Sequence, residues 1–259
     1  MSGSGHPFAD QDVRRAASAP AVDFSRRSTL TELMDSDETD FATFRACLVD
    51  LAKVNRLTLA YRPTMQFFRR LAATGRLPRD RAVSIVDVGS GYGDMLRKVD
   101  RWAARRGYKF DLTGVDLNPW SARTAVEATP PERPIRFVTA NVFDYRPSAP
   151  IDIVISSLFT HHLDDAALAR FLAWMEANGA IGWFVNDLHR HPIPYHVFGA
   201  TARALRYHHF VQHDGPISIA RAFHRDDWRR LLAAAGIAPG AAAIRWRFPF
   251  RLCVARVKG

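Results

Sequence analysis

Apolar residues follow two alternating patterns from Val83 to the end of the chain. Short segments are apolar at nearly every position, as in strands buried on both faces of a parallel sheet, and longer segments repeat apolar residues every three or four positions, as on one face of a helix. The pattern predicts strands at 83–88, 110–116, 135–140, 151–157, 180–187, 243–249 and 251–257, and helices near 93–106, 119–128, 165–177, 194–210 and 225–235. This alternation predicts an α/β fold, in which helices cover both faces of a doubly wound sheet.

The chain before the first strand has a different pattern. Residues 1–28 are polar and aperiodic, which predicts a mobile tail. Residues 29–80 carry apolar side chains at helical spacing, interrupted at Pro63, which predicts a small helical lid. Residues 81–259 form the predicted main domain.

Composition narrows the class of protein. The 259 residues are 47% hydrophobic, which is enough for a large core. No apolar stretch reaches the about 20 residues that span a bilayer, and the first residues lack the apolar segment of a secretory signal. Cys47 and Cys253 are too few for a disulfide framework. We therefore expect a cytoplasmic protein without a membrane span, and the sequence leaves its oligomeric state open.

The formal net charge of +10 bears on possible partners. A basic surface attracts nucleic acid and other anionic molecules. The arginines are dispersed along the chain, however, and no basic stretch is interleaved with the aromatic residues that stack on single-stranded bases. The charge therefore argues only weakly for a nucleic-acid substrate.

The turn after the first predicted strand, in the segment IVDVGSGYGDM, is rich in glycine and acid. Gly89, Gly91 and Gly93 alternate with other residues, Asp87 precedes them and Asp94 follows. Alternate glycines allow a sharp turn and the close approach of a ligand. The usual dinucleotide-binding spacing needs its third glycine at the position of Asp94, and carboxylates here oppose a diphosphate. S-adenosylmethionine has no phosphate and carries two cationic groups, so the turn favours this cofactor over NAD.

Polar residues also end the second and third predicted strands. Asp116 could accept hydrogen bonds from both ribose hydroxyls of a cofactor, or cap the following helix, for which Asn118 is better placed. Asn141 or Asp144 could bond an adenine amino group while Val142 packs on the ring, or these residues could simply form a turn.

The fourth and fifth predicted strands end in polar residues that should face the ligand cleft. These residues are Ser156, Ser157, Thr160, His161 and His162, followed by Asn186, Asp187, His189, Arg190 and His191. A histidine here could act as a general base, or Thr160 and His161 could only orient the loop. No acid or cysteine stands at a familiar ligand spacing from these histidines, so the sequence predicts no metal site.

Together, the four strand ends resemble those of the class I S-adenosylmethionine-dependent methyltransferases. DVGSGYGD is similar to the glycine-rich first motif of that class, GVDLNP to the acidic second motif, ANVFDY to the adenine motif and SSLFTHHLDD to the fourth-strand motif. The last motif resembles the ubiquinone/menaquinone-biosynthesis branch of small-molecule methyltransferases. The resemblance covers residues 83–257. It implies a Rossmann-like, seven-stranded sheet with an antiparallel last strand, and S-adenosylmethionine as the cofactor.

The resemblance and the strand ends give a set of expected site residues. The expected cofactor-binding residues are Asp87, Gly89, Ser90, Gly91, Gly93, Asp116, Leu117, Asn141, Val142 and Ser157. The candidate catalytic residues are His161, His162, His189 and His191. Aromatic residues near the predicted cleft favour an aromatic or apolar acceptor, unless they belong to the core: Phe159, Trp183, Phe184, Tyr195 and Phe198.

Four functions are compatible with these residues. The first is methyl transfer to an oxygen or carbon atom of a small molecule, with a histidine available for proton removal. The second is an RNA or protein methyltransferase, which the net charge favours. The third is a nucleotide-dependent oxidoreductase, which the acids at the turn oppose. The fourth is a cofactor-binding module without catalysis.

Overall fold

The computed structural model describes residues 22–35 and 40–259, which contain a seven-stranded sheet covered by helices on both faces. The strands are β1 (Val83–Val88), β2 (Phe110–Asp116), β3 (Ile135–Thr139), β4 (Ile153–Ser157), β5 (Gly182–Leu188), β6 (Ala243–Arg247) and β7 (Arg251–Val257). The helices are α1 (Phe41–Leu57), α2 (Arg62–Ala73), α3 (Asp94–Ala104), α4 (Pro119–Glu127), α5 (Asp165–Asn178), α6 (Pro192–Ala204), α7 (His209–Arg221) and α8 (Arg225–Ala234).

The order of the strands across the sheet is β3-β2-β1-β4-β5-β7-β6. Strands β1 to β5 are parallel to their neighbours, and β7 runs antiparallel between β5 and β6. The predicted fold class, a doubly wound sheet with an antiparallel last strand, is confirmed. The order reverses between β1 and β4, so the ends of these two strands border a crevice of the kind that binds ligands in such sheets.

Apolar residues in register hold the centre of the sheet. Ile85 in β1 pairs with Leu112 in β2 and with Ile153 in β4, and all three side chains are almost completely buried. Full burial of such a side chain stabilises the fold by about 1.5–3 kcal/mol. The continuous apolar runs that predicted these strands therefore reflect burial on both faces.

The helix predicted over 194–210 is wrong in its extent, and a helix after it was missed. Helix α6 ends at Ala204, and the chain then turns through Arg206, which has a positive φ of 51°. A second helix, α7, follows and contains Pro216. Gly215 lies against the ring of Phe198 in α6, so this close packing of two helices favours a glycine within a helix. Gly and Pro next to each other hid the helical pattern, because both residues are typical of turns.

The predicted lid separates into two parts with different roles. Helix α2 packs on the sheet, where Phe68 is completely buried and the ring of Phe67 stacks 4.9 Å from that of Phe184 in β5. Helix α1 contacts α4 and α7 beside the crevice. Helix α2 is therefore part of the core layer, whereas α1 lies against other helices.

The end of the predicted tail is bonded to the main domain. Residues 1–21 lie outside the described residues. Within residues 22–28, Arg27 donates hydrogen bonds to the Asp165 carboxylate at 2.7 Å and to the Leu163 carbonyl at 2.8 Å. The backbone of Ser28 also donates to the Ala220 carbonyl at 3.0 Å. These bonds place residues 22–34 next to the loop that follows β4.

None of the described helices combines the length and the apolar character needed to cross a bilayer.

Candidate functional site

The three glycines in the turn between β1 and α3 have different surroundings. All three have positive φ, which disfavours other residues. A Cβ at Gly89 would lie 2.5 Å from the ring of Phe159, and one at Gly93 would lie 2.6 Å from the ring of Phe137. A Cβ at Gly91 would meet, among the residues that the structure describes, only Leu48 Cδ2 at an ordinary van der Waals distance of 3.9 Å. The first and third glycines are therefore required by the protein's own packing, whereas Gly91 leaves room for a ligand.

Asp116, at the end of β2, organises this turn. Its Oδ2 accepts a hydrogen bond from the backbone N–H of Gly91 at 2.8 Å, and its Oδ1 accepts one from Asn118 at 3.0 Å. The helix cap that was the alternative role for Asp116 is made by Asn118, whose side chain accepts from the Trp120 N–H. The Ser121 side chain also bonds the Asp116 carboxylate. A carboxylate has about four acceptor sites, so Asp116 retains about one acceptor for a further donor such as a ribose hydroxyl. The next residue, Leu117, is 71% exposed, which suits a side chain that packs against a ligand.

Asp87, at the end of β1, is a buried acid without a full set of partners. It is 2% exposed, and its Oδ1 has no hydrogen-bond partner among the described residues. Burial raises the pKa of Asp87 well above its usual range, and the nearby carboxylates of Asp94 and Asp116 raise it further. A cationic group bound beside these acids would offset their repulsion.

A small cavity of about 40 Å³ lies next to Asp87. Its lining comes from the β1 turn, the end of β4 and the turn between α1 and α2: Asn55, Ala60, Tyr61, Asp87, Gly89, Ser90, Asp94, Met95, Ser157 and Leu158. The cavity has room for only a few atoms, so it suits the end of a larger ligand, such as an ammonium group.

Asp94 is tied to the segment before the sheet. Its carboxylate accepts a short hydrogen bond from the hydroxyl of Tyr61, which also contacts the Ala52 carbonyl at 3.1 Å. Burial raises the pKa of Tyr61, and the charge of Asp94 raises it further, so the phenol remains protonated. The bond joins the α1–α2 turn to the first turn of α3 and closes one side of the cavity.

The residues after β3 form a turn. The Asn141 side chain accepts a hydrogen bond from the backbone of Phe143 at 3.1 Å, as in an Asx turn. Asn141 is exposed, whereas Val142 is 7% exposed and packs in the core cluster under the sheet edge. The described contacts of both residues are those of a turn, and a cofactor role for them remains a prediction.

The serines at the end of β4 are held by neighbouring strands and helices. Ser156 is completely buried and donates to the Val88 carbonyl at 2.9 Å. Ser157 lines the cavity, and its hydroxyl lies 3.2 Å from that of Thr64 in α2. Leu158 then takes a left-handed conformation with φ of 58°, which turns the chain across the crevice.

His161 is fixed by an acid on the neighbouring strand. Its Nδ1 lies 2.7 Å from Oδ1 of Asp187, at the end of β5, and Thr160 donates to the other oxygen of the same carboxylate. Burial alone would raise the pKa of Asp187, but His161 and these hydrogen bonds lower it to about 2. The bond to Asp187 fixes the orientation of the His161 ring. His161 is only 3% exposed, so the ring has little access to solvent.

His162 lies between the cofactor side of the crevice and a buried glutamate. Burial raises the pKa of Asp116, whereas the hydrogen bonds of Asp116 and the charge of His162 lower it. On its other side, His162 Nε2 lies 3.9 Å from Oε2 of Glu32. Glu32 is 3% exposed and comes from the segment before α1.

His189 and His191 lie in a different cluster from this pair. The His189 ring is 5.8 Å from that of His191 and 5.6 Å from that of His224, and His191 packs 5.3 Å from Phe250. Burial, together with the smaller effect of the nearby charges of His224 and His191, lowers the pKa of His189 to about 4. His189 is therefore neutral but weakly basic near pH 7. The four candidate histidines thus form two groups.

The aromatic residues that favoured an aromatic acceptor have structural contacts. Trp183 is completely buried and Phe184 is 5% exposed in the core. Tyr195 packs on Phe24, and Phe159 packs edge-on against Phe171. These residues therefore do not identify an aromatic acceptor.

Comparison with known proteins is consistent with this geometry. Residues 85–179, which run from β1 through the glycine turn to the end of α5, match the model of a family described as a methyltransferase domain. The chain carries a methyltransferase domain. The seven-stranded sheet with its antiparallel last strand matches the Rossmann-like methyltransferase fold. The sequence matches no curated protein.

Two solved structures share the fold at low sequence identity. The plantazolicin methyltransferase BpumL, in complex with a monoazolic desmethyl analogue and S-adenosylhomocysteine, is 13% identical, with a TM-score of 0.53 over 87% of this chain and 88% of that chain. A candidate O-methyltransferase from Nostoc punctiforme is 14% identical, with a TM-score of 0.55 over 90% of this chain and 65% of that chain. These likenesses extend beyond the methyltransferase domain into the helices before it.

Several residues of the site could not be found from the motifs. Glu32 lies far from the domain in sequence, and nothing in its surroundings distinguishes it from a surface glutamate. Asp187 was noted only as a polar strand end, and its bond to His161 depends on the pairing of β4 with β5. The ubiquinone/menaquinone branch of the resemblance receives no support from the family match, which is to a general methyltransferase domain.

Proposed function

We propose that this protein transfers the methyl group of S-adenosylmethionine to an oxygen or carbon atom of a small molecule. The observation that carries the proposal is the acidic crevice, in which one buried oxygen of Asp87 has no partner among the described residues and a Cβ at Gly91 would meet only Leu48 Cδ2, at 3.9 Å, in that part of the chain. The plantazolicin methyltransferase was solved with S-adenosylhomocysteine, and its likeness along most of this chain supports the same class of donor.

In this proposal, each part of the crevice holds one part of the donor. Asp87 and the small cavity take the cationic methionine end, and the remaining acceptor site of Asp116 takes a ribose hydroxyl. Leu117 packs on the adenine, with Asn141 and Val142 at its edge. The sulfonium supplies a reactive methyl group when the donor is bound, so the protein has mainly to align the acceptor and exclude water.

We place the acceptor over the ends of β4 and β5, beside His161 and His162. His162 is close enough to Asp116 to affect its pKa, whereas His189 and His191 pack with His224 and Phe250 on the side of β7. Residues 22–34 and the loop after β4 are bonded together above this region through Arg27. This cover favours a small acceptor over a folded RNA or protein.

The alternative, an RNA or protein methyltransferase, has the net charge in its favour. Many of the arginines are paired with acids, however, such as Arg81 with Asp152 and Arg133 with Asp100. These pairs cancel locally, but the net charge of +10 already subtracts every acid, so the excess of cationic side chains remains.

The test is a screen for transfer of a labelled methyl group from S-adenosylmethionine. Phenols, quinone precursors, polyketides and RNA serve as acceptors, and calorimetry measures the binding of S-adenosylhomocysteine by the same protein. Transfer to a small acceptor supports the proposal. Transfer to RNA alone, with salt-sensitive RNA binding, supports the alternative, and binding of NAD in place of S-adenosylhomocysteine refutes both.

A further inference from the structure

Three potential metal ligands converge beside the crevice. Glu32, His161 and His162 each direct one donor atom to a common point, and these atoms all lie within 4.8 Å of one another. Glu32 Oε1 is 3.8 Å from His161 Nε2, and Glu32 Oε2 is 3.9 Å from His162 Nε2. These separations are longer than hydrogen bonds. Glu32 Oε1 is buried and has no hydrogen-bond partner among the described residues.

The ring nitrogen of His161 that points away from Glu32, Nδ1, makes the kind of hydrogen bond to a carboxylate that metal-bound histidines usually make. This atom lies 2.7 Å from the carboxylate of Asp187, so Nδ1 donates and Nε2 keeps a lone pair directed toward Glu32. A carboxylate behind a histidine fixes the orientation of the ring and increases its basicity as a ligand. Asp187 is completely buried and is held by Thr160 and by the backbone of Leu188.

A single arginine holds both chain segments that supply the ligands. Arg221 donates to the carbonyl of Leu30 at 2.9 Å, to that of His161 at 3.0 Å and to that of His162 at 2.7 Å. Arg27 donates to the His161 carbonyl as well, at 3.2 Å. The ligand-bearing loop is thus fixed relative to the segment that carries the glutamate.

The residues directly after Glu32 are held in a similar way. The carboxylate of Asp214, in α7, accepts hydrogen bonds from the backbone of Leu33 at 2.8 Å and of Met34 at 3.0 Å. Asp214 is 5% exposed. Arg221 and the buried Asp214 thus hold the two segments, and the donor atoms of Glu32 and the two histidines stay near one another at separations longer than hydrogen bonds.

We propose that Glu32, His161 and His162 bind one divalent transition-metal ion of the zinc type. Two imidazoles and one carboxylate select such an ion over Mg²⁺ or Ca²⁺, which prefer oxygen ligands. Ligands bound at about 2.1 Å to a tetrahedral ion lie about 3.4 Å apart. The three donor atoms lie within 4.8 Å of one another, so they would draw together by up to about 1.4 Å around an ion.

The position of this site indicates what the ion would act on. Three protein ligands leave a coordination position open, and His162 is the most exposed of the three, with 24% of its side chain accessible. The charge of His162 also acts on Asp116, where it lowers the pKa. An open position there suits an oxygen atom of the acceptor, and this assignment rests on the proposed function, whereas binding of the ion does not.

The experiment uses the full chain without a histidine tag, treated with a chelator and then freed of it. Equilibrium dialysis against Zn²⁺, without any cofactor, measures the stoichiometry and affinity, and Co²⁺ provides a visible absorption spectrum. Glu32→Gln and His162→Gln each remove one ligand, and His196→Gln, at an exposed histidine of α6, is the matched control. Circular dichroism shows whether each variant folds.

The expected result is one Zn²⁺ per chain, with affinity reduced more than about 100-fold in Glu32→Gln and His162→Gln and unchanged in His196→Gln. If Glu32→Gln does not fold, the partly exposed His162→Gln decides. No stoichiometric binding by the wild type, or wild-type affinity in the folded ligand variants, overturns the proposal. Loss of binding in His191→Gln alone also overturns it, because the ion would then lie in the other histidine cluster. A chain that binds zinc and transfers no methyl group refutes only the proposed function.

Discussion

Replacement of Gly91 by alanine tests whether the backbone of this turn contacts the cofactor, because an added Cβ affects cofactor binding and protein stability in different ways. Gly91 has φ of 48°, and an added Cβ would meet no protein atom closer than Leu48 Cδ2 at 3.9 Å. Gly107, between α3 and β2, provides a matched control, because its φ is 69° and nothing lies within 4 Å of its Cβ position. The two substitutions impose a similar backbone strain, but only Gly91 lies beside the crevice.

The magnitudes follow from these geometries. An alanine in the left-handed region costs about 1–2 kcal/mol, so both Gly91→Ala and Gly107→Ala should lower the free energy of unfolding by about that amount. If the backbone at Gly91 contacts the cofactor, a methyl group there overpacks the interface at a cost of about 1–3 kcal/mol. Since about 1.4 kcal/mol is a tenfold change in affinity, binding should weaken by roughly 5-fold to 150-fold.

Calorimetry with S-adenosylhomocysteine and urea unfolding test this prediction on the same protein samples. Gly91→Ala should lose both stability and affinity, whereas Gly107→Ala should lose stability alone. Wild-type affinity in Gly91→Ala would mean that the open space at this glycine is not occupied by the cofactor. An equal loss of affinity in Gly107→Ala would show that strain, and not contact, weakens binding.

Three further predictions follow from the hydrogen bonds and pKa values of the site. Asp116→Asn places an amide NH₂ against one of two backbone N–H groups, so stability should fall by about 1–3 kcal/mol. Calorimetry should also show at least about tenfold weaker binding of S-adenosylhomocysteine, whereas the exposed Asp80→Asn should change neither. The pKa of His189 is lowered to about 4 from an unfolded value of 6.5, so the unfolded chain binds the proton first and stability should fall as the pH drops from about 6.5 to about 4. Urea unfolding should show a smaller loss over that window for His189→Gln than for His196→Gln, and equal slopes would contradict the lowered pKa. Arg27→Met should open residues 22–34 to limited proteolysis with little change in the thermal midpoint of the domain, and unchanged cleavage would show that other bonds hold this segment.

The sequence predicts the parts of the site that depend on neighbours along the chain. The β1 turn with Asp87 and Gly91, and Asp116 at the end of β2, need only a strand, a turn and a helix in succession. The partners of these residues come from elsewhere: Tyr61 reaches Asp94 because α2 packs on the sheet, and Glu32 reaches the loop after β4. Such contacts leave no local pattern, since they depend on how distant segments pack.

Asp87 and Glu32 share a property that connects the proposed function and the proposed metal site. Each is a buried acid with one oxygen that has no hydrogen-bond partner among the described residues, and such an oxygen costs about 1–3 kcal/mol or more when charged. Both lie at the carboxyl ends of the parallel strands, where bound cations would repay that cost. S-adenosylmethionine supplies an ammonium to Asp87, and a divalent ion would neutralise Glu32. Without bound cations, the two acids should lower the free energy of unfolding. S-adenosylmethionine and Zn²⁺ should each raise the thermal midpoint, independently of the other, because the two acids occupy separate sites. A midpoint that neither ligand changes would mean that both acids are stabilised within the protein itself.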